Sequence, residues 1–77
     1  LYRLLNGIRA ALRAGDRDFA RLESDAAGQL TAAGWRTDYV AVRQQSDLAV
    51  PQDARTPLVV LVASRLGTTR LIDNIEV

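Results

Sequence analysis

Pro57-Leu58-Val59-Val60-Leu61-Val62-Ala63 is apolar at every position after the proline, and an unbroken run of this length predicts a central strand covered on both faces. Downstream, residues 70–77 alternate instead, with Leu71, Ile75 and Val77 on one side and Arg70, Asn74 and Glu76 on the other. That period predicts a half-buried edge strand. The segment between them, Ser64-Arg65-Leu66-Gly67-Thr68-Thr69, is short enough for a hairpin, with Gly67 free to take a positive φ. Upstream, residues 37–43 are β-rich, with Tyr39, Val40 and Val42. A polar loop over 44–56 joins this first strand to the second, long enough to suggest a role beyond connection.

Ahead of the strands the period is helical. Leu1, Leu4, Leu5, Ile8 and Leu12 recur at 3.6-residue spacing, and Gly15 follows where a left-handed C-cap belongs. Asp16 is positioned to cap a second helix with the apolar stripe Phe19, Leu22, Ala26, Leu30 and Ala33, and with Arg21 and Asp25 four apart on its outside. Gly34 ends it, and Trp35 directly after is expected to fold back over Leu30. The expected fold class is α+β, in the order α-α-β-β-β: a two-layer sandwich with an antiparallel helical pair on one face of a small, three-stranded, mainly antiparallel sheet. The all-apolar middle strand implies that the other sheet face is not entirely polar and that part of it packs on something outside these residues.

The 77 residues are 48% hydrophobic and 25% charged with a formal net charge of +1, which describes one small globular domain. A core of this size supplies about 3–5 kcal/mol of net stability. The sequence contains no His, Cys, Met or Lys, so all ten cations are arginine. Histidine general bases and imidazole ligands are therefore absent, as are thiolate nucleophiles, zinc–thiolate sites, Schiff-base lysines and a P-loop lysine. No two carboxylates are bracketed in a recognisable acid/base pattern, so no catalytic, cofactor-binding or metal-binding residue is assigned. The chain opens at Leu1 inside a helical pattern, with no initiating Met, and is read as a piece of a longer polypeptide. With no membrane-length apolar run and no basic-then-apolar leader, a cytoplasmic parent is expected, with neither membrane nor nucleic acid as partner.

Three constellations invite a functional reading. Gly67-Thr68-Thr69-Arg70 gathers backbone donors, hydroxyls and a guanidinium, the ingredients of an anion site, but no helix follows and the P-loop spacing is missing, so a plain turn is preferred. Arg3, Arg9, Arg13, Arg17 and Arg21 suggest a nucleic-acid stripe. Against it, Asp16, Asp18, Glu23 and Asp25 interleave, and a solvated helix surface is preferred. Trp35 and Tyr39 either line a pocket or belong to the core, the commoner fate of large aromatics at an element junction.

The stretch Val62-Ala63-Ser64-Arg65-Leu66-Gly67-Thr68-Thr69-Arg70-Leu71-Ile72-Asp73-Asn74-Ile75 closely resembles the C-terminal signature of the pantothenate synthetase family. Thr37-Asp38-Tyr39-Val40 resembles that family's earlier strand, and the two-helix lead-in has the right length. The resemblance implies an ATP-dependent ligase that activates pantoate as an adenylate, releases pyrophosphate and passes the pantoyl group to β-alanine, with ATP and Mg as cofactors of the full-length enzyme. It also implies that the paired histidines and the lysine–serine loop that handle ATP belong to an N-terminal nucleotide-binding domain of the same chain. Neither His nor Lys occurs here, so no such role transfers. Residues 1–77 then correspond to a single C-terminal lid-type domain, catalytically inert alone, whose signature residues Gly67, Thr68, Thr69, Arg70, Asp73 and Asn74 are structural. The alternative is an independent interaction or dimerisation module, and a homodimer is possible under either reading.

Alternation places Asp73 with Leu71, Ile75 and Val77. A carboxylate buried there needs a partner, with Arg70, Arg65 or the hairpin amides the candidates, unless a bulge at Asp73-Asn74 turns it outward.

Overall fold

The computed structural model describes residues 2–51 and 56–77. Leu1 of the expected first stripe and residues 52–55 of the expected loop lie outside them. Two helices, α1 (Tyr2–Arg13) and α2 (Phe19–Ala32), precede three strands, β1 (Arg36–Gln44), β2 (Leu58–Leu66) and β3 (Thr69–Glu76). The sheet order is β1-β2-β3 with both pairings antiparallel. The α-α-β-β-β arrangement is the one expected.

Both helices end as their glycines dictate. Gly15 sits at φ 101° and Gly34 at φ 91°. Asp16 N–H reaches back to the Ala11 carbonyl at 3.0 Å, and Trp35 N–H to the Leu30 carbonyl at 2.9 Å. These six-to-one bonds define Schellman caps. The start of α2 differs from expectation, because Asp18, not Asp16, is its N-cap and accepts the Arg21 N–H at 3.3 Å. The helix begins two residues later than the pattern suggested, and a cap must stand immediately before the first turn. Asp16 instead accepts the Asp18 N–H at 3.0 Å and pairs with Arg21.

Leu5, Ile8 and Leu12 of α1 and Leu22, Ala26 and Leu30 of α2 are buried against Val40, Val42, Leu58, Val60 and Val62 of the sheet. Trp35 packs at the margin of this core, whereas Ala33 is the exposed C-cap, so the α2 stripe ends at Leu30. The helices touch each other less than they touch strands, α2 lying on β1 and α1 reaching β2 and β3. Ser64, fully buried, donates its hydroxyl to the Arg36 carbonyl across β1 at 3.2 Å.

The hairpin is tighter than expected. Strand pairing continues through Arg65↔Arg70 to Leu66↔Thr69, leaving Gly67-Thr68 as a two-residue turn. Gly67 has φ 61° and Thr68 is not in the positive-φ region, the pattern of a type II′ turn. β3 is also barer than a half-buried strand: Ile75 is partly covered and every other residue is exposed, because α1 covers one end of it.

Candidate interaction site at the hairpin end of the sheet

Register decides which side chains share a face. The pairs Val42↔Val60 and Val40↔Val62 point toward the helices, so the alternate residues Val59, Leu61, Ala63 and Arg65 of β2 point outward. Between Thr37 and Tyr39 the pairing slips by one residue. This β-bulge places both Asp38 and Tyr39 outward, since a bulge re-aims a side chain without moving the rest of the strand. Arg36↔Arg65 and Arg65↔Arg70 are directly opposed, so three guanidinium stems start from one row across the sheet, about 4.5–5.5 Å apart at Cβ.

Like charges facing each other across strands are destabilising, and the bulged residue answers them. Asp38 Oδ2 accepts from Arg70 Nε at 2.9 Å and lies 3.8 Å from Arg65 Nε. Arg36 carries no ion pair among the described residues. The next row is Tyr39–Ala63–Ile72; Tyr39 is 41% exposed and Ile72 63%, while Ala63 between them is fully closed over. At the far end of this face the chain supplies its own cover, where Gln45 and Leu48 share a groove with Val59, Leu61, Asn74 and Glu76.

A second carboxylate–arginine pair works differently. Glu23 on α2 accepts the Val42 N–H at 2.9 Å and pairs with Arg43 at 3.3 Å. It therefore occupies the open edge of β1 and ties the helix to the strand.

The residues singled out from sequence are dispersed. Gly67 and Thr68 form the turn, Thr69 opens β3, and Arg70 joins the outward row. Asp73 pairs with Val62 without any bulge and so faces the helix side, as alternation required, but it is exposed there and its Oδ1 accepts only a local bond, from Asn74 N–H at 2.8 Å. Arg65 and Arg70, on the other face, meet Asp38 instead. A hydrated carboxylate at the bare end of an edge strand does not need the partner that burial would have demanded. Asn74 points outward beside Glu76. The helix arginines do not align as a stripe: Arg21 is held by Asp16, Asp18 and Asp25, Arg9 bonds Asn6, and Arg17 bonds the Leu12 carbonyl at 2.7 Å. Trp35 and Tyr39 both line a groove between α2 and β1, yet Tyr39 is not core.

No sequence pattern marks Asp38 or Arg36 as part of this row, because their placement comes from register and from the bulge. Asp16 is held below its ordinary value of 3.8, first by the Asp18 backbone hydrogen bond, which outweighs the opposing effect of burial, and further by Arg21 and Arg17. Among the described residues no three His, Cys, Asp or Glu side chains gather as metal ligands, and no helix is long and apolar enough to cross a membrane.

Fold and site together define a small two-layer α+β unit that offers a row of three arginines on its outward sheet face. Comparison with known proteins places it. The family model of pantoate-beta-alanine ligase matches residues 1–76, and the chain belongs to that family. It is 56% identical over all 77 residues to the pantothenate synthetase of Chromobacterium violaceum, covering 28% of that protein. It is 48% identical over 75 residues to that of Methylococcus capsulatus, covering 97% of this chain and 26% of the relative. The chain thus spans about a quarter of the length of these relatives. A match along the whole chain does not favour an independent module.

Proposed function

We propose that these residues form the C-terminal, lid-type domain of a cytoplasmic ATP-dependent ligase that condenses pantoate with β-alanine. The observation that carries this reading is the match of residues 1–76 to a family named for that condensation. In the reaction, the pantoate carboxylate displaces pyrophosphate from ATP to give an acyl adenylate, and the β-alanine amine then displaces AMP. ATP and magnesium serve the whole enzyme. The chain's cations are all arginine, with neither His nor Lys, so no proton transfer or phosphate-cradling step is assigned to it. Its contribution is coverage: a lid that closes over an acyl adenylate excludes the water that would hydrolyse it.

The assay is on the full-length polypeptide, which is expected to exchange labelled pyrophosphate into ATP only when pantoate is present and to form product on adding β-alanine. Failure of that exchange overturns the reading. Titration of the 77-residue chain with ATP and magnesium is expected to give no binding heat, and micromolar affinity there refutes the assignment of nucleotide binding to the rest of the enzyme.

A further inference from the structure

We propose that the outward sheet face at its hairpin end, the row Arg36–Arg65–Arg70 with Tyr39 and Ile72 beside it, is the surface by which these residues dock onto the remainder of their own polypeptide, against carboxylates presented by that remainder. This deepens the lid reading and rests on it.

Four observations converge on this surface. On the helix side, β1 and β2 are already covered through Val40, Val42, Val60 and Val62, and the far end of the outward side is shared with Gln45 and Leu48; Tyr39 and Ile72 at the hairpin end stay exposed. Next, the row carries three cations against one carboxylate, and Arg36 has no ion pair among the described residues. An acidic counter-surface complements it. Third, Asp38 meets both Arg65 and Arg70 at Nε. Both contacts are made through Nε, which leaves the two terminal nitrogens of each guanidinium outside them. A guanidinium fixed in this way is set for two-point recognition of a carboxylate, with less side-chain freedom to lose than a free one. Finally, arginine and tyrosine are the residue types enriched where interfaces are buried, and relatives about four times as long as this chain supply the partner surface.

The test is hydroxyl-radical footprinting of the full-length protein, read by mass spectrometry at residues of this domain. Tyr39 and Ile72 are expected to be sheltered, and to become several-fold more reactive in Arg36→Glu combined with Arg65→Gln. Exposed surface substitutions of this kind leave the helix-side core untouched. The unmutated protein provides a second arm, since raising the salt to about 1 M should likewise unmask both residues by screening the charges. If Tyr39 and Ile72 react freely while Tyr2, Leu48 or Val50, all exposed in this domain, is sheltered, the domain docks by another face and the proposal fails with the lid reading intact. Shelter that grows with protein concentration assigns the face to a second copy and also overturns it. If no position in the domain is sheltered, proposal and lid reading fall together, whereas lost pyrophosphate exchange tests the ligase assignment alone.

Discussion

On its helix side, β2 is buried by another layer: Val60 and Val62 are fully covered by α1 and α2. On its outward side Ala63 is just as inaccessible, yet no helix lies there; it is a small residue closed over by the longer side chains of the flanking strands. The same accessibility thus has two origins. Apolar area sealed by a second layer stabilises the fold in proportion to the area removed from water, while a residue hidden by its own sheet neighbours says little about what covers the sheet. Each side also has its carboxylate–arginine set, Glu23–Arg43 partly buried between helix and strand, and Asp38 with Arg65 and Arg70 in the open.

The sharpest test of this contrast removes the same leucine atoms from the two sides. Leu12→Ala, on the helix side at 1% exposure, is expected to cost about 2–5 kcal/mol, enough to unfold most molecules in a domain this small. Leu61→Ala on the outward side should cost about 1 kcal/mol, and equal shifts in urea midpoint would show that a second core exists. Next in size is the pair of carboxylates. Glu23→Ala leaves the Val42 N–H unpaired and is expected to cost about 1–3 kcal/mol. Asp38→Asn loses only exposed ion pairs and should cost under about 1 kcal/mol, the difference disappearing in high salt.

The covering layer can also be probed through pH. Asp16, whose carboxyl is held below its ordinary value by the Asp18 N–H and then by Arg21 and Arg17, binds a proton less readily folded than unfolded. Its contribution is present above the ordinary value of 3.8 and is lost as pH falls through the lower folded value. Asp16→Asn is accordingly expected to flatten the acid limb of the stability profile below about pH 4 and to leave its slope near neutrality unchanged. The smallest effect belongs to the segment beside the far end of the outward face. Leu48 has φ 59°, a conformation that costs a branched residue about 1–2 kcal/mol, part of which glycine gives back as backbone entropy. Leu48→Gly is expected to raise stability by about 0.5 kcal/mol, measured by thermal midpoint.

The layers were legible because they depend on local period and punctuation: Gly15, Gly34 and Gly67 stand where the chain must turn left-handed, and the valines of β2 announce a central strand. The phase of Asp73 was legible for the same reason. Its exposure was not, since that depends on how far α1 extends over β3. Likewise the choice between Asp16 and Asp18 as cap turned on where a helix begins, which two acids either side of Arg17 leave ambiguous. The arginine row was the least visible feature, for it exists only after three strands have been paired and one residue, Asp38, has been left over.

The two-residue turn at Gly67-Thr68 also sets an order in time. β2 and β3 can pair from Leu66↔Thr69 to Val59↔Glu76 after closing almost no loop, on the scale of 1–10 µs for hairpins. By contrast, the first β1–β2 pair at that end, Gln44↔Leu58, must close a longer segment, and the Glu23–Val42 tie a longer one still, at higher entropic cost. Folding that starts at the hairpin makes β2 and β3 the first strands to organise, so Gly67→Ala, strained at φ 61°, should slow folding more than it speeds unfolding. Stopped-flow kinetics in which the unfolding rate changes instead would place the nucleus elsewhere.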